Sequence, residues 1–321
     1  MKKIIMLIFL ILSLMTYSED KINVGVVLSS GGLGTGFNQM AYDGLKRAEE
    51  EGLINFKYVE PSNITEDLEF LRDFSIEGNY DLVIGMGSVV AESIKKVATE
   101  FPDQKYAIVG GTITVPHTVT IDFAEQEMSF LAGALASMMS DSKTIGVLLA
   151  MDNKSFNRFK NGFTQGAKYV DQDTTVITTY MPTTSSNPFN DPVKGKNISN
   201  LMISRGTDVI LQVAEGTGQG VFEAAKEKNV YAIGSDIDQD GEVPGTILTS
   251  VRVRIDNAVY NLTKEVKENR FREGYRQTGL ADNGVSLTDF NHTKKLIGSN
   301  KLAKLEKLKK DIISGQIIVS E

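Results

Sequence analysis

The chain has 321 residues, no cysteine and a formal net charge of −7. Its isoelectric point near 5.1 argues against a general nucleic-acid binder, which needs clustered positive charge to neutralise phosphates. The lack of cysteine excludes a disulfide framework, a thiol nucleophile, a thiolate metal site and a lipid anchor on an N-terminal cysteine.

In chain order, Lys2 and Lys3 precede an apolar run over residues 4–15, and small residues follow at Thr16 and Ser18. This is the pattern of a signal peptide, residues 1–18, cleaved after Ser18 to leave a protein free in a periplasm. The run is short for a transmembrane helix. About 300 residues remain, which exceeds one ordinary domain and suits two lobes, and 41% hydrophobic content suffices for packed cores.

Residues 22–28 are almost continuous in Val, Ile and Leu and predict a buried strand. A helix over 37–52 follows, then a strand over 56–59 and a helix over 63–79, with Asn63 and Glu66 spaced as a capping pair. A strand over 81–85, a helix over 89–101, strands over 105–110 and 118–123, and a helix over 125–140 rich in small residues complete one series. The pattern restarts with strands over 144–149, 175–181, 208–213 and 230–234, alternating with helices over 156–170, 192–205 and 218–229. Residues 183–191 read as a surface loop, and residues 271–298 show no clear periodicity. The basic run from Lys294 to Lys310 alternates with Leu296, Leu302, Leu305 and Leu308 and predicts an amphipathic helix with a solvated basic face.

Strands alternating with helices predict α/β lobes with doubly wound parallel sheets. The expected division is 19–123 plus about 251–275 for lobe I, about 142–246 plus about 280–321 for lobe II, and 124–141 as a crossover helix. Ligands in such sheets lie at the carboxyl ends of the strands, so the loops after Leu28, Gly85, Gly110, Leu149, Val213 and Gly234 are where to look.

The first of these loops carries Ser29, Ser30, Gly31, Gly32 and Gly34. Gly32 and Gly34 fit two positions of a dinucleotide fingerprint, but Phe37 takes the third, and Val221 does the same in the Gly216–Gly220 loop. Neither loop has a Walker lysine. A large aromatic such as Phe37 at a helix start either points into a cleft, where it can stack on a heterocycle, or staples to its own core. Asp236, Asp238, Asp240 and Gly241 begin like a calcium loop, but its twelfth position is Ile247 and a strand precedes it. Asp236, just past a strand, can accept two hydroxyl hydrogens from a sugar diol. Asp238 and Asp240 read as solvated. His117 and His292 are the only histidines, and no hydrolase motif or nucleoside-hydrolase aspartate cluster is present, so no enzyme, metal or cofactor is expected.

Several stretches together resemble the basic membrane protein family of ABC-transporter solute-binding proteins, which includes purine-nucleoside receptors. They are GGLG with GFNQMAYDGL at 31–45, FAEQEMSFLAG at 123–133, FKNGFTQGAKYV at 159–170, the run 206–239, ILTSVRVRIDNAV at 247–259 and DIISGQIIV at 311–319. The resemblance implies a type I periplasmic-binding-protein fold, with two lobes joined by three crossovers and closing on ligand by hinge motion. It implies purine-nucleoside uptake with a membrane permease and ATPase as partners. It also implies that Phe37 stacks the base beside Asn38 and that Asp236 holds the ribose. The expected ligand contacts are Ser29, Ser30, Gly31, Phe37, Asn38, Gly87, Ser88, Gly110, Leu211, Gly216, Asp236 and Val253. Four positions depart from the family. Its first-loop aspartate appears as Ser29, a second aspartate as Gly110, its second stacking aromatic as Leu211 and its lysine as Val253. Other readings are a receptor for another heterocycle such as riboflavin, a sensory binding protein, or a nucleoside hydrolase.

Overall fold

The computed structural model describes residues 21–28, 32–34, 36–184 and 187–321. The predicted signal peptide and Ser29, Ser30 and Gly31 lie outside these residues. Among the described residues, no helix is long and apolar enough to cross a membrane.

The first lobe opens with β1 (Ile22–Val27), α1 (Gly36–Glu50), β2 (Ile54–Val59), α2 (Ile64–Glu77) and β3 (Leu82–Met86). It continues with α3 (Ala91–Glu100), β4 (Tyr106–Val109) and β5 (Thr118–Phe123). α2 begins as the sequence predicts, with Asn63 Oδ1 accepting from the Thr65 and Glu66 amides. The second lobe holds α4 (Glu125–Met139), β6 (Thr144–Leu149), α5 (Lys154–Val170), β7 (Thr175–Tyr180) and α6 (Pro192–Ser204). It also holds β8 (Val209–Val213), α7 (Gly218–Lys228), β9 (Tyr231–Ser235) and β10 (Ile247–Val253). The chain then gives α8 (Ile255–Lys267), β11 (Gly274–Thr278), β12 (Val285–Leu287), α9 (Lys294–Ile297) and α10 (Ser299–Ile313).

Two six-stranded sheets result, in the orders β11-β5-β4-β3-β1-β2 and β12-β10-β9-β8-β6-β7. Pairing is parallel throughout, except that β12 runs antiparallel to β10. Every residue of β3, β4, β5 and β8 is buried, as expected of strands covered by helices on both faces. β11 and β12 lie in the aperiodic stretch 271–298. They are edge strands with mostly half-buried residues, which is why no hydrophobic pattern marks them.

The chain passes between sheets three times. β5 ends in the first sheet at Phe123, and α4 starts over the second at Glu125. β10 stays in the second sheet to Val253, after which α8 returns to pack on α1. Gly44 makes that packing close, because a Cβ there would run into the Asp256 backbone, and Arg47 lies over the Tyr260 ring at 4.0 Å. β11 belongs to the first sheet and β12 to the second. α4 is fused to α5 through glycines. A Cβ on Gly133, Gly162 or Gly166 would strike the backbone oxygen of Phe163, Gln126 or Phe130 respectively. The C-terminal basic segment is split at Gly298, which has φ 84°. The face it buries is Leu305, Leu308 and Ile312, while Leu296 is 42% exposed.

A buried ion cluster sits where the lobes meet. Arg158 of α5 is 1% exposed, and its guanidinium contacts Asp122 of β5 at 2.8 Å, Glu125 of α4 at 3.1 Å and Glu321 at 2.9 Å. Ser155 donates to Glu125 Oε1 at 2.6 Å, and the Tyr275 hydroxyl of β11 donates to Asp122. Burial works against the arginine's charge, but Glu125 and Asp122 outweigh it and hold the guanidinium firmly protonated.

Candidate functional site

Both sheets present the carboxyl ends of their parallel strands to the space between the lobes. On the lobe I side, the turn Gly32–Gly34 leads into α1, and Phe37 is the helix's second residue. Its ring lies over the loops after β3 and β4. A Cβ on Gly110 (φ 84°) would stand 2.6 Å from Phe37 Cζ and 3.7 Å from the Gly87 α-carbon. Gly87 has φ 80°. Two glycines in the left-handed region thus leave the slot the ring fills. Phe37 is half-buried, resting on its own lobe with part of its surface uncovered.

Opposite, β9 ends at Ser235, and Asp236 follows with φ 70°. The lobes approach here, since a Cβ on Gly36 would be 3.9 Å from Asp236 Cβ. Asp236 therefore faces lobe I one residue away from Phe37. Burial pushes its carboxyl pKa up, and the hydrogen bond from the Ser235 hydroxyl at 2.9 Å works the other way. Next to it, after β8, stands Glu215 (φ 45°) at the start of the turn Glu215–Thr217. Its carboxyl is also raised, by burial first and then by the charge of Asp236.

A buried amide relay fixes both acids. Gln212 Oε1 accepts from the Ala214 amide at 2.9 Å, and Gln212 Nε2 donates to Gln239 Oε1 at 3.1 Å. Gln239 Oε1 also accepts from the Ser235 amide at 3.0 Å. The relay ties the end of β8 to the end of β9. It has room because Gly218 and Gly234 lack the Cβ that would strike these side chains.

The remaining expected contacts divide. Gly87, Gly110 and Gly216 are half-buried loop residues at carboxyl ends of strands, and Ser88 is exposed beside Gly87. Val253 is the half-buried last residue of β10, where the chain leaves the second lobe. Leu211 stands elsewhere. It lies mid-strand in β8, between Val147 and Ile233, is 0% exposed, and belongs to the sheet core rather than the interlobe wall. Asn38 is 1% exposed, and its amide donates to the Gly32 carbonyl at 3.0 Å, so it braces the glycine turn. Asp238 is exposed, but Asp240 is buried and not solvated, because Oδ2 accepts from the His292 amide at 3.1 Å. No cluster able to hold a metal ion occurs among the described residues.

Three features escaped sequence reasoning. Glu215 precedes a Gly/Thr loop whose glycine spacing points to phosphate binding rather than to a carboxylate. The glutamine relay joins residues far apart in sequence. Phe156 at the start of α5 and Phe189 in the loop before α6 put their rings 6.1 Å apart on the second lobe. Phe189 also accepts from the Thr217 amide, which seats it against the Glu215 turn.

Two parallel α/β lobes, three crossings and a carboxyl-end gap lined from both sides define a two-lobed small-molecule receptor. The family model described as "ABC transporter substrate-binding protein PnrA-like" matches residues 21–321, and the chain belongs to this family, Bmp. It is a solute-binding receptor of ABC transporters and not an enzyme. Among relatives, the ABC transporter nucleoside-binding protein BmpA of Lactococcus lactis is 30% identical over 306 residues, 88% of this chain and 84% of its own. Basic membrane protein B of Borreliella burgdorferi is 30% identical, covering 94% of this chain and 88% of its own. A solute-binding protein of an ABC transporter system from Aeropyrum pernix superposes with a TM-score of 0.79 at 30% identity, covering 94% of each chain. The fold is that of a type I periplasmic binding protein.

Proposed function

We propose that the protein captures purine nucleosides outside the cytoplasm and delivers them to the permease and ATPase of an ABC transporter. The carrying observation is that Phe37 and Asp236 stand on opposite lobes and face one gap. Phe37 stacks the base, an interaction worth about 1–3 kcal/mol. Asp236 accepts hydrogen bonds from the ribose hydroxyls, and charge-assisted bonds of this kind are the stronger class. The Lactococcus relative is named as nucleoside-binding, which supports a nucleoside as the ligand. Cleavage after Ser18 would release the chain into a periplasm. Calorimetry with adenosine, guanosine and inosine tests the ligand class. At least one binds, and Phe37→Ala weakens it about 5- to 100-fold, the equivalent of the stacking energy. Three nucleosides that give no heat and no change in melting temperature overturn the proposal.

A further inference from the structure

Glu215 combines a left-handed backbone with a carboxylate that has no partner among the described residues. A long non-glycine side chain at φ 45° holds a left-handed conformation that most residues avoid. Its carboxylate is half-buried, and among the described residues no hydrogen-bond donor or cation reaches it. Several other buried acids are answered, although Asp67 of α2, also buried, leaves Oδ1 without a partner. Asp122 and Glu125 have Arg158, Glu127 accepts from the Leu280 amide, and Asp240 accepts from the His292 amide. Instead of a partner, Glu215 has a second acid beside it, Asp236. Both follow neighbouring strands, and the glutamine relay locks both strand ends.

Two carboxylates in one narrow gap, with the Ser235 hydroxyl donating to Asp236 alone, favour a ligand that brings N–H and O–H groups. With Asp236 on the ribose, Glu215 is left for the base. Guanine offers a ring N–H and an adjacent exocyclic amine, a pair that one carboxylate accepts in parallel. Hypoxanthine offers the ring N–H alone. Adenine turns a bare ring nitrogen toward the same place, and two sets of lone pairs then face each other. We infer that Glu215 is a specificity-determining residue that selects guanosine over inosine, and inosine over adenosine. The inference rests on the nucleoside reading.

The experiment is calorimetry of the full chain and of Glu215→Gln with guanosine, inosine and adenosine. The native chain binds guanosine at least about tenfold more tightly than adenosine. Glu215→Gln weakens guanosine at least about tenfold and leaves adenosine equal or tighter, because a glutamine amide both donates and accepts. The variant keeps the native melting temperature or exceeds it without ligand, since it removes a like charge from beside Asp236. A native preference for adenosine overturns the assignment, as does a variant that weakens all three ligands by one factor or none. A native chain that binds no nucleoside instead removes the functional reading, and the assignment falls with it.

Discussion

Replacing Glu125 by glutamine probes the ion cluster at the lobe junction. Burial raises this carboxyl to about 7 against an ordinary 4.5, while Ser155, its own amide and Arg158 pull it down less strongly. Below pH 4.5 the folded and unfolded chains both carry the proton, and the stabilisation is fully present. Between 4.5 and about 7 the folded chain keeps a proton that the unfolded chain releases. Stability therefore falls as pH rises, by about 1.4 kcal/mol per pH unit and about 3 kcal/mol in all. Glutamine resembles the protonated acid and does not titrate. One of its amide ends loses a good partner at Ser155 or Arg158, a penalty of about 1 kcal/mol. Glu125→Gln should thus be equal or slightly weaker at pH 5 and about 2 kcal/mol more stable than native at pH 8. Urea unfolding of both proteins at the two pH values measures the difference, which isolates this one group. Identical pH dependence in both proteins refutes the reasoning.

Arg158→Met removes the guanidinium that Asp122, Glu125 and Glu321 share and leaves their carboxylates close together. A loss of about 3–5 kcal/mol is expected, read as a fall of roughly 6–20 °C in melting temperature. Gly166→Ala puts a methyl group into the Phe130 carbonyl and forces α4 and α5 apart, costing about 1–3 kcal/mol or more in the same melts. Gly110→Ala strains a φ of 84° and sets its Cβ 2.6 Å from Phe37 Cζ, where ordinary contact begins at 3.4 Å, so the ring tip moves by about 0.8 Å. Nucleoside affinity measured by calorimetry then drops about 5- to 100-fold, and an unchanged Kd would exclude stacking by Phe37.

The alternation of strands and helices was legible because strands buried on both faces read as unbroken Val/Ile/Leu runs, and caps such as Asn63 announce themselves locally. β11 and β12 were not, because a half-buried edge strand such as GYRQT carries no such run. Phe37, a large aromatic at a helix start after a glycine-rich turn, and Asp236, just past a strand, stand out in the sequence. Glu215 does not, because its significance comes from Asp236 on the next strand rather than from its own loop. Arg158 looks like an ordinary surface cation of an amphipathic helix. Its burial follows from three carboxylates delivered by β5, α4 and the C-terminus, an encounter that no local pattern encodes. Leu211 was expected at the ligand through a family position. Two residues remain in β8 beyond it, and they set it back in the core.

The three glycines between α4 and α5 also determine which parts of the molecule can bend. With backbone set against backbone, the first crossover helix has no side-chain cushion over which to slide, so it turns with the second lobe as one body. Rotation between the halves then falls on the few residues at Phe123–Ala124 and at the two later crossings. The Arg158 cluster stands beside the first of these. Its ion pairs and the Tyr275 hydrogen bond therefore fasten α4 and α5 to β5 and β11 right at that crossing, so the two lobes are clasped where the chain joins them.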